Sequence, residues 1–172
     1  MISDRILEEQ EIQKDQSGVQ TNLENRWSSL RDKYLSHQKS DSIWCFSRPP
    51  IGLPIQGWKL HISATILCAC EVFELLLPRL IRDKVVYKGP SSLNELKKIN
   101  CGLFYGYSQI GKFLTIYCRN EKEFLSLSKS FILKLQAFEG PAVPSDLPVP
   151  GSRCVYYRFG AFRAPHKTGK TS

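Results

Sequence analysis

A helical repeat of apolar residues marks the first part of the chain. Most residues between Asp4 and about Leu35 are polar or charged. The apolar exceptions follow the spacing i, i+4, i+7, i+11 that one helix face requires, and they are Leu23, Trp27, Leu30 and Tyr34. The pattern predicts a helix that packs against the rest of the protein, in preference to one that binds a separate partner. A polar loop, residues 36–42, is predicted to follow it.

Strand-like and helix-like segments alternate from about Ile43 onward. Alternating, β-branched and aromatic positions predict strands at 58–64, 85–88, 113–118 and 153–159. Helical spacing and capping residues predict helices at 67–82, from Ser91 or Ser92 to 99, and at 121–138. Proline-rich loops are predicted at 48–54 and 141–150. This interleaving predicts an α+β fold, in which helices flank a twisted sheet that is mainly antiparallel or mixed.

The 172 residues suit one hydrophobic core, so a single domain is predicted. Residues 1–42 form an N-terminal helical extension and polar loop, residues 43–163 the domain itself, and residues 164–172 a basic tail.

Composition narrows the class of protein. The net charge of +8 and the pI near 9.2 indicate an anionic partner, whether nucleic acid, a membrane surface or a phosphorylated substrate. No apolar run approaches the ~20 residues that cross a bilayer, and the acidic start is unlike a signal peptide, so a cytoplasmic protein is predicted. The six cysteines show no CxxC pair and no zinc-type Cys/His spacing. They are predicted to be reduced packing residues, and neither a metal nor a cofactor is expected.

The strand at 58–64 carries the first candidates for chemistry. Because side chains alternate across a strand, Lys59 and His61 share one face while Trp58 and Leu60 lie on the other. This pattern alone also fits a half-buried strand with a solvated polar face.

A G-x-x-x-x-G-K frame, from Gly106 to Lys112, resembles a nucleotide-binding P-loop. However, Phe113 stands where Ser or Thr would bind Mg²⁺, and a strand rather than a helix is predicted to follow. We therefore predict no nucleotide site here. Lys112 can still hold a phosphate, with the hydroxyls of Tyr105 and Tyr107 nearby.

Two further cations are candidates with open alternatives. Lys88 ends an apolar strand before Gly89, where a lysine is either partly desolvated or extends its amine to water. Arg158 lies between two aromatic residues of the last strand, and a guanidinium there either binds phosphate or covers an exposed surface.

Four segments, in this order, resemble the phosphoserine/phosphothreonine lyase domains at the N-terminus of class III and IV lanthionine synthetases. The resemblance extends more distantly to the bacterial effector phosphothreonine lyases. The segments are Arg48-Pro-Pro with Gly57-Trp-Lys-Leu-His-Ile-Ser-Ala-Thr, Tyr87-Lys88, Gly111-Lys-Phe-Leu-Thr-Ile-Tyr, and Gly140-Pro through Ser145-Asp146 to Tyr157-Arg-Phe-Gly-Ala-Phe162. One departure is Leu147, which stands where such domains often carry an arginine.

The resemblance implies a function for each candidate. Residues 43–163 would be a phosphothreonine lyase-like domain that removes phosphate by β-elimination, without metal, from a phosphorylated lanthipeptide precursor. Lys88 would be the general base and His61 the general acid. Phosphate would be bound by Lys59, Lys112 and Arg158, with Tyr105 and Tyr107. Arg153 and Asp146 are candidates for further substrate contacts. Kinase and cyclase partners would act in cis within a longer enzyme or in trans.

Two other classes of function remain open. The domain could instead be a non-catalytic module that docks a leader peptide or a kinase. A nucleic-acid binder is disfavoured, although Tyr156, Tyr157 and Phe159 could stack on bases, because the lysines are scattered and no recognition motif is present. No membrane partner is expected.

Overall fold

The computed structural model describes residues 2–38 and 42–162, with side chains for residues 16–38 and 42–162. The predicted basic tail, residues 164–172, lies outside the described residues. The four α-helices are α1 (Ile2–Tyr34), α2 (Ala69–Arg82), α3 (Leu93–Cys101) and α4 (Glu121–Lys134). The seven strands are β1 (His37–Gln38), β2 (Trp44–Phe46), β3 (Gln56–Ile62), β4 (Val86–Pro90), β5 (Leu114–Tyr117), β6 (Leu147–Pro148) and β7 (Val155–Ala161). A 3-10 turn spans Tyr107–Gln109.

The strands form one sheet in the order β1-β2-β4-β5-β3-β7-β6. Every neighbouring pair is antiparallel. The predicted α+β class, with an antiparallel sheet, flanking helices and an N-terminal helix, is confirmed. The prediction of loops throughout 36–42 and 141–150 is wrong at two places, because β1 and β6 lie there. Each is a two-residue edge strand, which is too short to show an alternating pattern and forms only by pairing with its neighbour.

Helices cover one face of the sheet and bury its apolar side chains. Leu60 and Ile62 of β3 and Leu114 and Ile116 of β5 are fully buried in this core. Trp58 stacks on Phe124 of α4 with ring centroids 4.9 Å apart. The side-chain alternation predicted for β3 is therefore confirmed. Trp58 lies on the helix-covered face.

Helix boundaries follow the capping residues. The Ser92 hydroxyl accepts a hydrogen bond from the backbone N–H of Glu95 at 3.0 Å and starts α3. Asn120 caps α4 in the same way. The predicted end of α4 at Phe138 is wrong. The helix ends at Lys134, and Phe138 donates its N–H to the carbonyl of Leu135 in a turn while its side chain still packs on the core.

The C-terminal half of α1 is part of the core. Trp27 is fully buried, with its ring 5.3 Å from those of both Phe73 and Phe113. Its indole N–H donates to the carbonyl of Pro90 at 2.9 Å. The predicted packing role of this helix is confirmed. None of the described helices is both long enough and apolar enough to cross a membrane.

The six cysteines are free. Four of them pack inside the protein, namely Cys45, Cys70, Cys118 and Cys154. Cys68 is half-buried and Cys101 is exposed, so the predicted packing role holds for the majority.

Candidate functional site

Two rows of side chains cross the face of the sheet that is opposite the helices. In the first row Lys88 of β4 pairs with Thr115 of β5, which pairs with His61 of β3. In the second row Tyr117 of β5 pairs with Lys59, which pairs with Arg158 of β7. Residues directly opposite each other in antiparallel strands point to the same face. The sheet therefore gathers these side chains on the face opposite the helices.

A cavity of about 320 Å³ lies over these rows. It is lined by Lys59, His61, Lys88, Ser108, Gln109, Lys112, Thr115, Tyr117, Arg158, Gly160 and Ala161. The cations predicted from the four separate segments thus share one cavity with His61. The charge of four cationic side chains around a space of this size suits an anion.

His61 and Asp146 form a buried pair at this cavity. The imidazole Nδ1 hydrogen-bonds the Asp146 carboxylate, whose side chain is fully buried. Asp146 does not line the cavity, so the geometry supports it as the partner of His61 and not as the direct substrate contact that was predicted. Lys112 Nζ lies 3.5 Å from the other carboxylate oxygen, and the Ser145 hydroxyl donates to it at 2.9 Å. Because Nδ1 is engaged, Nε2 is the ring nitrogen available to a molecule in the cavity.

Burial dominates the electrostatics of this pair. It lowers the pKa of His61 to about 4, against the opposing effect of the Asp146 hydrogen bond and with further lowering by Lys112 and Lys59. Burial alone would raise the pKa of Asp146, but hydrogen bonding to His61 and the charge of Lys112 bring that pKa below its ordinary value. At neutral pH the pair thus consists of an aspartate and a neutral imidazole.

Lys88 is half-buried at the opposite end of the first row. Burial, together with the positive charges of Lys59 and Lys112, lowers the pKa of Lys88 to about 8. Its Nζ lies 4.8 Å from the ring centroid of Trp44 and 5.7 Å from that of Phe46. An appreciable fraction of this amine is therefore neutral slightly above neutral pH, as a base requires.

The other lysines of the cavity crowd one another. Burial, then the charges of Lys112 and Arg158, lowers the pKa of Lys59, and its Nζ donates to the carbonyl of Ala161 at 2.8 Å. Burial is also the first cause that lowers the pKa of Lys112, with Asp146 opposing. A phosphate would relieve the repulsion among these cations.

The loop between α4 and β7 carries Asp146 to the site. Its start is fixed by close backbone contact, because a Cβ on Gly140 would overlap Ser63 of the segment that follows β3. Gly111, with φ +76°, lies equally close to the carbonyl of Ala142. Gly111 also precedes Lys112, so one contact positions both the loop and a cavity lysine.

Three predicted site residues lie away from the cavity. The Tyr105 hydroxyl donates to the Glu95 carboxylate. The Tyr107 hydroxyl donates to the carbonyl of Pro144 at 2.9 Å, and this side chain is exposed. Arg153 is exposed and lies 3.5 Å from Glu139. The geometry therefore does not support these three as phosphate or substrate contacts, because each of their polar groups is directed to another partner.

The strand predicted after Lys112 is confirmed. Lys112 leads into β5, whereas the lysine of a P-loop leads into a helix whose N-terminus binds phosphate.

Six lining residues were not predicted as site residues, and two of them, Gly160 and Ala161, belong to the last strand beside Arg158. Thr115 and Tyr117 alternate with buried Leu114 and Ile116, so the polar positions of this strand carried a usable signal. Ser108 and Gln109 come from the 3-10 turn, which is too short for a repeat of apolar residues to indicate where its side chains point. Within residues 16–38 and 42–162, no group of three or more His, Cys, Asp or Glu side chains could hold a metal ion.

Comparison with known proteins gives a family and a fold. A family model described as "RamC, N-terminal domain" matches residues 23–172. The chain is 30% identical over 136 residues to the "Probable SapB synthase" of Streptomyces coelicolor. This match covers 78% of the chain but only 14% of that relative's length.

Solved structures of phosphothreonine lyases share the architecture. The Chromobacterium violaceum VirA (SpvC) phosphothreonine lyase effector is 16% identical with a TM-score of 0.51, over 75% of this chain and 68% of that one. Another phosphothreonine lyase is 19% identical with a TM-score of 0.50, over 71% and 65% of the two chains. At these identities the likeness shows a common fold.

Proposed function

Since this chain belongs to the RamC N-terminal domain family, we propose that it is a lyase that eliminates phosphate from phosphoserine and phosphothreonine residues of a peptide. The products would be dehydroalanine and dehydrobutyrine residues. The observation that carries the proposal is the shared cavity, in which a lysine of lowered pKa and a histidine–aspartate pair flank a set of cations. These are the groups that β-elimination requires.

Lys88 is the general base of this proposal. Its neutral amine takes the α-proton of the phosphorylated residue, and the electron pair of that C–H bond forms the Cα=Cβ double bond. The pKa of about 8 supports the assignment, because an unperturbed lysine near 10.4 would hold its proton at neutral pH.

His61 is the general acid. As the Cβ–O bond breaks, its Nε2–H gives a proton to the departing phosphate oxygen. The free site holds a neutral imidazole, with its pKa about 4, so the proton must be acquired with the substrate. A phosphate dianion in the cavity favours the imidazolium, and the Asp146 carboxylate at Nδ1 acts in the same direction.

Lys59, Lys112 and Arg158 bind the phosphate. All three line the cavity, no carboxylate is among its lining side chains, and Arg158 offers a planar fork of donors. Tyr117 adds a donor, since burial raises its pKa and keeps the phenol protonated. These side chains supply the positive charge that stabilises the leaving group.

The relatives support a class of substrate. One of them is described as a SapB synthase, and the solved neighbours are described as phosphothreonine lyases. We therefore infer a phosphorylated lanthipeptide precursor as substrate. Kinase and cyclase domains would act before and after the lyase, in cis or in trans.

The test is incubation of the protein with a phosphoserine peptide and a phosphothreonine peptide, read by mass spectrometry and phosphate release. We expect loss of phosphoric acid from the peptide. Lys88→Arg retains the positive charge but has no neutral form near pH 7, so it should lower kcat by about 10²–10⁴-fold while still binding phosphopeptide. Tight binding of phosphopeptide by the wild type without mass change would support the non-catalytic docking module instead.

A further inference from the structure

Thr115 occupies the central position of the proposed catalytic row. It pairs with Lys88 on one side and with His61 on the other, so it is the one row position between the proposed base and acid. Neighbouring strands are about 4.8 Å apart, which places the Cα atoms of Lys88 and His61 about 10 Å apart with Thr115 near the midpoint. Thr115 is 3% exposed and lines the cavity.

The position of Thr115 determines which part of the substrate lies against it during elimination. Lys88 must reach the hydrogen on the substrate Cα, and His61 must reach the oxygen on the adjacent Cβ. One carbon–carbon bond separates these two reaction centres. That bond therefore lies between the two side chains, above Thr115, while the phosphate extends toward the second row with Lys59 and Arg158.

Phosphothreonine carries one methyl group on Cβ that phosphoserine lacks. The side chain beneath the Cα–Cβ bond decides how much room the methyl group has. We propose that Thr115 is a residue that sets the preference of the site between phosphothreonine and phosphoserine by its volume. This inference rests on the proposed function.

Volume rather than polarity is the property that should matter. A single methyl group in a packed pocket changes discrimination by about 10–200-fold. Thr115→Ser removes a methyl group from the cavity floor, and we expect the ratio of kcat/KM for phosphothreonine over phosphoserine to rise about 10-fold. Thr115→Ile adds volume, and the same ratio should fall by about 10-fold or more. Thr115→Val keeps the branched shape without the hydroxyl and should leave the ratio within about 2-fold of wild type.

The experiment measures both peptides, identical except for that methyl group, with the wild type and the three variants. Thermal unfolding of each variant identifies the folded proteins. Thr115→Val and Thr115→Ser are the two most conservative changes, so they are the variants expected to fold. An unchanged ratio in Thr115→Ser and Thr115→Ile, with elimination still occurring, would overturn the role of Thr115 and leave the proposed function intact. A change of the kcat/KM ratio in Thr115→Val as large as the change in Thr115→Ser would overturn the assignment to volume. Absence of elimination by the wild type on either peptide would instead refute the proposed function.

Discussion

At the scale of single residues, opposing effects set the pKa of Lys88. The ammonium of Lys88 gains about 0.5–2 kcal/mol from cation–π contact with Trp44 and Phe46. Burial and the charges of Lys59 and Lys112 oppose this, and a pKa near 8 instead of 10.5 corresponds to about 3 kcal/mol against the charged form. Burial and repulsion therefore exceed the attraction by the rings, which leaves Lys88 able to act as a base.

The lowered pKa of His61 predicts a pH-dependent stability. Its pKa is about 4 in the folded protein and 6.5 in the unfolded chain, so the unfolded chain binds more protons between these values. The free energy of unfolding should therefore decrease as pH falls from 6.5 to 4, by about 3 kcal/mol from this group. Urea titrations at several pH values measure the slope. His61→Gln should flatten it, and an equal slope in the variant would contradict this origin.

At the scale of elements, the loop between α4 and β7 determines whether His61 has its partner. Asp146 lies in this loop, six residues beyond the glycine that packs against Ser63. The short strand β6 then joins the loop to the sheet by pairing Leu147 with Tyr157. Close packing at one end and backbone pairing at the other fix the carboxylate in place. The loop is thus a structural part of the site, although it contains only a two-residue strand.

Gly140→Ala should separate loop position from the chemistry of the cavity. The added Cβ would overlap Ser63, so the loop must shift, at a cost of about 1–3 kcal/mol in the free energy of unfolding. Phosphate release should fall as Asp146 moves from His61. Gly106→Ala is the matched control, because a Cβ there meets no atom within 4 Å. Thermal unfolding and phosphate release measure both effects, and wild-type behaviour of Gly140→Ala would disprove this account.

At the scale of the whole molecule, α1 stabilises the strand that carries the proposed base. The indole of Trp27 donates to Pro90, two residues after Lys88, and packs near Gly89. The Arg31 guanidinium donates to the carbonyl of Ser91 at 2.6 Å, and the Glu24 carboxylate accepts the N–H of Leu93 at 2.8 Å. These contacts lie on the helix side of the sheet, opposite the cavity. The helix therefore acts on the site through the position of β4.

Trp27→Ala should reduce both stability and elimination. Removal of a fully buried tryptophan costs about 3–5 kcal/mol, and here it also leaves the carbonyl of Pro90 without its donor. Val19→Ala on the same helix is the control, since Val19 is 51% exposed and should change stability by no more than about 0.5 kcal/mol. Denaturant titration measures the first effect and phosphate release the second. Equal stability of the two variants would contradict the role of Trp27.

The sequence by itself determined the class of each long element and, for β3, which side chains share a face. Helical spacing located Trp27 on the packing face of α1, and alternation placed Lys59 and His61 together, because both periods are properties of the backbone. The ordered motifs also indicated the family. Pattern did not find β1, β2 or β6, because strands of two or three residues are too short to show an alternation.

Only the tertiary structure decided which strands are neighbours. β5 lies between β4 and β3, out of chain order, and this alone puts Thr115 between Lys88 and His61. The partner of His61 came from a loop 85 residues later, and Tyr105 was directed to Glu95 rather than to the cavity. A repeat along the chain fixes the direction of a side chain relative to its own element. Distances between elements depend on packing, which a local pattern does not contain.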